Sequence, residues 1–161
     1  MPQVVLVQPQ IPPNTGNVAR TCAATQTPLH LVGPLGFEIS DRQLKRAGLD
    51  YWPYVDLHYH ESLAAFYSQQ QFGRRIGFST SGKCSHIKFE YRQDDWLLFG
   101  CETQGLPPEV LQSCDAVLYI PMSQAHVRSL NLSVSVAVGL FEAQRQLKLL
   151  EIAEFNQPSA D

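Results

Sequence analysis

Residues 96–107 read WLLFGCETQGLP, a short apolar run that passes directly into a loop between two glycines. The four residues 96–99 are typical of a strand that is buried on both faces, as strands of a parallel sheet are. In open parallel sheets, ligand-binding and catalytic groups gather where the strands give way to loops. The segment therefore predicts a buried parallel strand with a functional site at its carboxyl end.

Four other apolar runs have the same character, and helical patterns separate them. Strands are predicted at residues 4–7, 29–32, 75–78 and 116–120, and helices from residue 14, over 41–47, over 61–70 and over 131–150. Asn14 is the expected N-cap of the first helix. Strands that alternate with helices need crossover connections, so we expect an α/β fold with a mostly parallel sheet flanked by helices. Residues 1–155 are expected to form a single domain, with residues 156–161 as a flexible tail.

The composition is that of a globular protein, with 44% hydrophobic and 17% charged residues in 161. A net charge of −3 argues against a protein that coats nucleic acid nonspecifically, because such binding depends on a basic surface. Any nucleic-acid site must therefore be local. The candidate basic clusters lie at residues 42–46, 74–75 and 83–88, although such clusters are more often plain solvated surface.

Other features of the sequence favour a cytoplasmic protein. The longest apolar run, residues 134–141, is much shorter than the roughly 20 residues that span a bilayer, so no membrane contact is expected. The first residues lack the pattern of a secretion signal. The four cysteines form no C-x-x-C pair and are expected to be reduced thiols. His58 and His60 could share one strand face, but no third ligand lies at a recognisable spacing, so no metal site is expected.

Three distant segments each lie where a predicted strand gives way to a loop or a helix. They are residues 14–21 (NTGNVART), residues 99–107 (FGCETQGLP), and residues 120–122 (IPM) continuing to 128–133 (RSLNLS). The strand ends of a parallel sheet bring such segments together. We therefore expect one site built from all three.

A competing motif lies in the middle of the chain. Residues 77–84 (GFSTSGKC) follow a predicted strand and match the phosphate-binding pattern G-x-x-x-x-G-K. The next position should be a serine or threonine that binds magnesium, whereas Cys84 is a soft ligand. A P-loop must also run into a helix N-terminus, and the residues after Cys84 have weak helical character. A nucleotide-binding protein that uses Gly77 to Lys83 stays as an alternative function.

Together with residues 46–51 (RAGLDY), the three segments resemble the motifs of SPOUT-class RNA methyltransferases, and most of all those that methylate a ribose 2′-hydroxyl in tRNA. The resemblance covers nearly the whole chain. It implies a C-terminal trefoil knot, S-adenosylmethionine as the cofactor, and a homodimer with shared sites. The implied substrate is the wobble nucleotide of tRNA, cytidine or uridine. A module that keeps this fold and binds RNA without catalysis is a further alternative.

The resemblance also assigns roles to individual residues. The implied cofactor-binding residues are Phe78, Thr80, Gly100, Glu102, Gly105, Ile120, Met122, Ser129 and Leu130. The implied catalytic residues are Arg20, Asn14 and Asn131, and the implied substrate-binding residues are Arg20, Arg46 and Arg128. Related enzymes often carry an asparagine directly after the Asn-Leu-Ser triplet, where this chain has Val134.

The residue chemistry gives each of these roles a plainer alternative. An arginine normally stays protonated, so Arg20 is better suited to a bidentate grip on a substrate phosphate than to act as an ordinary base. It could instead form a helix-surface salt bridge. Phe78 and Ile120 could be core residues, and Gly100 and Gly105 could serve a turn. Asn131 could be a helix N-cap, a role that is compatible with a place in the site.

Overall fold

The computed structural model describes residues 1–39 and 51–149, and within them seven strands form one parallel sheet. The strands are β1 Gln3–Val7, β2 Leu29–Val32, β3 Leu57–His60, β4 Arg75–Phe78, β5 Cys84–Ser85, β6 Trp96–Phe99 and β7 Ala116–Tyr119. Their order is β3-β2-β1-β6-β4-β7-β5, and every neighbouring pair is parallel. The predicted α/β class is confirmed, whereas the trefoil knot stays a prediction. The predicted helix at residues 41–47 and the predicted tail lie outside the described residues.

The described part of the chain also contains four α-helices and one 3₁₀ helix. The helices are α1 Pro12–Ala24, α2 Leu63–Gln69, α3 Pro108–Ser113 and α4 Leu132–Gln146, and the 3₁₀ helix spans Trp52–Tyr54. None of them is long and apolar enough to cross a membrane.

The start of α1 corrects one prediction. The helix begins at Pro12, with Ile11 in the N-cap position, so Asn14 is not the N-cap and lies buried in the first turn. Two prolines in succession suit the first turn because proline has a helical φ and lacks the N–H group that would need a cap. In contrast, Asn131 is the N-cap of α4, and its side-chain oxygen accepts a hydrogen bond from the Ser133 N–H at 2.8 Å.

The segment after β4 rules out a P-loop. Residues 79–83 turn into strand β5 instead of a helix, and a Cβ added to Gly82 would overlap the backbone of Leu118 and Tyr119. A P-loop needs the N-terminal N–H groups of a helix to bind phosphate. The nucleotide-binding alternative is therefore wrong for this chain.

The two faces of the sheet are covered by different helices. One face packs against α1 and α4, and its core includes Leu6, Val18, Leu97, Val136 and Leu140. The other packs against α2 and α3, through Val5, Val7, Phe66, Leu98 and Val110. Adjacent residues of β1 and β6 thus enter opposite cores, which is why these central strands are apolar throughout.

Close packing at Gly139 sets the distance of α4 from the sheet. A Cβ at this position would lie 2.7 Å from the ring of Phe78, which stacks on Phe99 with the ring centroids 4.5 Å apart. Only glycine lets the helix lie this near the two rings without moving them. The start of α4 is thereby held beside the carboxyl ends of β4 and β6.

A buried histidine pair lies on the α2 side of the sheet. His30 Nε2 is 2.7 Å from Gln3 Oε1, and His30 Nδ1 is 2.9 Å from His60 Nε2. Because the Gln3 oxygen can only accept, His30 donates to it from Nε2 and accepts from His60 at Nδ1. Burial, followed by the nearby His58 and His60, lowers the pKa of His30 from 6.5 to about 3. A second proton on His30 would also point at the N–H of His60.

We expect this pair to make the protein less stable as the pH falls from 7 to 5. The unfolded chain binds a proton at His30 below about pH 6.5 while the folded chain does not, so acid favours unfolding. The expected loss from His30 alone is about 2 kcal/mol of unfolding free energy, at about 1.36 kcal/mol per pK unit. Urea unfolding at pH 7 and pH 5 measures it. His30→Gln should show a smaller loss than the parent chain, whereas His126→Gln, in an exposed loop, should match the parent. Equal losses in all three proteins would contradict the role of His30.

Candidate functional site

A pocket of about 510 Å³ opens at the carboxyl ends of β4, β6 and β7. The starts of α1 and α4 complete its wall. Its volume lies in the range of about 300–1,000 Å³ that is usual for small-molecule sites. The pocket contains residues from all three sequence segments, so the expectation that they form one site agrees with the geometry.

Whether a predicted site residue lines the pocket depends on the role predicted for it. All nine predicted cofactor-binding residues line the pocket, as do Asn14, Arg128 and Asn131. Arg20 is not among the lining residues, and Arg46 lies outside the described part of the chain. Sequence reasoning missed Ile11 and Ser135, which also line the pocket. Ser135 lies one helical turn after Asn131, so helical spacing could have identified it.

The pocket combines an apolar floor with a polar rim. Phe78, Leu118 and Leu132 are buried, and Thr80 and Ser129 are exposed at its edge. Phe78 belongs to the core and also lines the pocket, so packing in the core does not keep it from contact with a ligand. This arrangement suits a ligand with a flat apolar part and several polar groups.

The loop between the two glycines is packed against itself. A Cβ added to Gly100 would overlap the backbone of Gly105 and Leu106. The Gly105 N–H donates to the Cys101 carbonyl at 3.0 Å, and Gly105 has a φ of 70°, which favours glycine. Both glycines therefore serve the turn, and the turn forms one wall of the pocket.

The Glu102 carboxylate connects this loop to the start of α1. It accepts hydrogen bonds from the backbone N–H groups of Gln10 and Ile11, at 2.9 and 3.0 Å, and from Asn14 Nδ2 at 3.2 Å. A negative charge near a helix N-terminus is favourable because the helix dipole is positive there. Glu102 lines the pocket, but its observed partners are protein groups that it holds in place.

A chain of side-chain hydrogen bonds continues from Glu102 to α4. Asn14 Oδ1 accepts from Asn131 Nδ2 at 3.0 Å, and Asn131 Oδ1 accepts from the Ser133 N–H and hydroxyl at 2.8 and 2.7 Å. A carboxylate only accepts, so the Asn14 amide must face Glu102 and its oxygen must face Asn131. The carboxylate thus fixes the orientation of both asparagine amides. Each amide keeps a second N–H for a ligand, and Asn14 Oδ1 keeps a second lone pair, whereas both lone pairs of Asn131 Oδ1 are used by Ser133.

Arg20 is exposed, and it lies farther along α1 than Asn14. Six residues of α-helix correspond to a rise of about 9 Å, which separates Arg20 from Asn14 along the helix axis. Its guanidinium carbon is 4.7 Å from the centroid of the Tyr51 ring. The Tyr51 hydroxyl donates to the Gly16 carbonyl at 3.0 Å, so Tyr51 contacts α1 at two places.

Comparison with known proteins places this chain among RNA-modifying enzymes. Residues 1–141 match the model of the SpoU rRNA Methylase family. A protein of Synechocystis sp. is 58% identical over 152 residues, which are 93% of this chain and 99% of the relative. The tRNA (cytidine(34)-2′-O)-methyltransferase of Yersinia pestis is 44% identical over 154 residues, covering 91% of this chain and 94% of that enzyme.

Solved structures that resemble this chain are also described as RNA methyltransferases or in terms of RNA methylation. One, described as giving structural insights into the 2-OH methylation of C/U34 on tRNA, superposes with a TM-score of 0.89 and 53% identity, covering 92% of this chain and 97% of that chain. An AdoMet-bound rRNA methyltransferase from Sinorhizobium meliloti has a TM-score of 0.82 and 25% identity, covering 91% of this chain and 56% of that chain.

The two glycines of the pocket loop should respond differently to alanine. Gly105→Ala places a side chain in open space at a left-handed φ, so we expect it to cost about 1–2 kcal/mol of unfolding free energy. Gly100→Ala must push two backbone segments apart and should cost more than about 3 kcal/mol, the upper end for overpacking. Urea unfolding at one fixed protein concentration measures both. A Gly100→Ala cost no larger than that of Gly105→Ala would show that the loop can open freely.

Proposed function

The chain belongs to the SpoU rRNA Methylase family, and we propose that it transfers a methyl group from S-adenosylmethionine to the ribose 2′-hydroxyl of nucleotide 34, the wobble position, in tRNA. The observation that carries the proposal is the pocket in which the three motif segments meet, with Glu102, Asn14 and Asn131 hydrogen-bonded in series. A tRNA substrate locates the activity in the cytoplasm, where the four unpaired thiols would stay reduced.

The pocket fits the proposed cofactor in size and chemistry. Its apolar floor at Phe78, Leu118 and Ile120 suits a flat adenine ring, and the loop from Gly100 to Gly105 forms a wall beside it. Ser129, on the rim, can add a hydroxyl hydrogen bond. When bound, the sulfonium supplies an activated methyl group and a neutral thioether leaving group. The residues of this chain supply binding and alignment.

The chemical task for the protein is to orient the ribose hydroxyl and remove its proton. In this proposal the Arg20 guanidinium grips the phosphate beside the target ribose with two parallel hydrogen bonds. The proton of the hydroxyl goes to a phosphate oxygen that Arg20 holds, or to a transiently neutral Arg20. Asn14 orients the ribose through the amide groups that its contacts with Glu102 and Asn131 leave available.

The position of Arg20 supports a homodimeric enzyme. In one chain Arg20 is not among the residues that line the pocket, so a second copy could bring its own Arg20 to that pocket. The outer side of α4 exposes Val134 and Phe141, with 47% and 45% of their surface accessible. Large apolar side chains that are exposed on the same side of a helix are typical of an interface. We propose that α4 packs against the partner there.

Replacing Arg20 with alanine should reduce methyl transfer at least about a hundredfold, the low end for the loss of a positioned acid–base or electrostatic group. Affinity for S-adenosylmethionine should change little, because the proposal assigns Arg20 to the substrate phosphate and not to the cofactor. Arg20→Lys should also be impaired, since an ammonium cannot make the planar two-pronged contact. Single-turnover transfer to tRNA and calorimetry with the cofactor measure the two effects.

Arg92→Ala provides the matched control, because Arg92 is an exposed arginine in the loop before β6 and should retain wild-type transfer. Near-normal transfer by Arg20→Ala would show that Arg20 has another role. If the parent protein bound tRNA but left nucleotide 34 unmethylated, the chain would be a non-catalytic RNA-binding module instead.

The proposed dimer can be tested by the mass of the protein in solution. Light scattering at micromolar concentration should give about twice the 18.0 kDa chain mass. Phe141→Asp puts a charge into the proposed interface and should shift the mass toward that of one chain. Phe72→Asp changes an even more exposed phenylalanine elsewhere and should remain dimeric. A monomeric parent protein with full activity would remove the shared site from the proposal.

A further inference from the structure

Tyr51 is anchored at both of its ends. Tyr51 directly precedes the 3₁₀ helix Trp52–Tyr54, and its side chain is half-buried. It packs against the core on the side of the sheet that α1 and α4 cover. Its hydroxyl donates to the carbonyl of Gly16, a buried residue of α1, at 3.0 Å. Gly16 lies one helical turn before Arg20. The ring therefore has a fixed position relative to the helix that carries Arg20.

The contact between Tyr51 and Arg20 places the guanidinium carbon over the tyrosine ring. The guanidinium carbon lies 4.7 Å from the ring centroid, well within the range of about 6 Å for a cation–π contact. The N–H donors of a guanidinium point outward in its plane. A cation–π contact attracts the charge as a whole, so it restricts the position of the guanidinium without requiring a hydrogen bond from it.

We propose that Tyr51 is a positioning residue for Arg20 in methyl transfer. The ring holds the guanidinium in position before tRNA arrives, and the bond from the hydroxyl to Gly16 fixes the ring relative to α1. An exposed arginine without such a contact samples many rotamers and must lose that freedom when it binds a phosphate. Because the ring restricts Arg20 before the phosphate binds, less conformational entropy is lost on binding. The inference rests on the proposed function, because it needs Arg20 to act on the substrate.

Two substitutions distinguish the contribution of the Tyr51 ring from that of its hydroxyl. Tyr51→Phe keeps the aromatic face, so we expect its single-turnover rate to stay within about threefold of the parent. Tyr51→Leu removes the face, and we expect the rate to fall at least about tenfold, with cofactor affinity unchanged within about twofold by calorimetry. Tyr54→Leu removes an aromatic ring that is 76% exposed in the same 3₁₀ segment, and it should behave like the parent.

A double substitution distinguishes positioning from a merely structural role. If Tyr51 acts through Arg20, adding Tyr51→Leu to Arg20→Ala should slow the residual transfer by no more than about twofold. A structural role alone would give the same tenfold loss in both backgrounds and would overturn the inference. Should Tyr51→Leu bind the cofactor poorly because it misfolds, Tyr51→Met fills a similar volume without an aromatic face and replaces it in the cycle.

The same measurements separate this inference from the proposed function. Wild-type transfer by Arg20→Ala would remove the role of Arg20 and, with it, the basis for positioning. A strong loss in Arg20→Ala together with wild-type rates in Tyr51→Leu would leave the proposed function intact and overturn the inference alone.

Discussion

The pocket depends on one carboxylate. Glu102 lies in the loop after β6, and it binds the two N–H groups that precede α1 together with the Asn14 amide. Since a carboxylate can only accept hydrogen bonds, it also sets the direction of the next contact, from Asn131 to Asn14. Side-chain hydrogen bonds thus join three segments that are far apart in the chain. In each of these bonds the donor lies farther from Glu102 than the acceptor does. Loss of the charge would disturb every later bond in the series.

The sheet brings these segments within reach of one another. Parallel strands place all their carboxyl ends at one edge, and β6 and β4 lie side by side near the centre of the sheet. Gly139 lets α4 approach the Phe78 and Phe99 rings, so that Asn131 at the start of this helix comes close to Asn14. The polar network therefore depends on close apolar packing beneath it.

The sequence was sufficient for the parts of the fold that carry a strong local pattern. The apolar runs of β1, β2, β4 and β6 can be predicted because both faces of these strands are buried, and β7 can be predicted from its apolar residues although Tyr119 is exposed. Strand β3 (LHYH) is at the edge of the sheet and exposes Tyr59, and β5 has two residues, so neither has a readable pattern. The helix start predicted at Asn14 is two residues late because Pro12 and Pro13 occupy the first turn of α1. The motif segments identified the pocket lining, but the Asn14–Asn131 contact joins residues 117 positions apart and follows only from the topology.

The turn between Gly100 and Gly105 also affects how the pocket meets its ligand. Its backbone packs against itself without a ligand, through the close approach at Gly100 and the bond from Gly105 to Cys101. A wall that is already formed does not have to lose conformational freedom when a small molecule enters. Association can then proceed without a slow folding step, and the affinity for the ligand depends on contacts more than on the cost of ordering the loop.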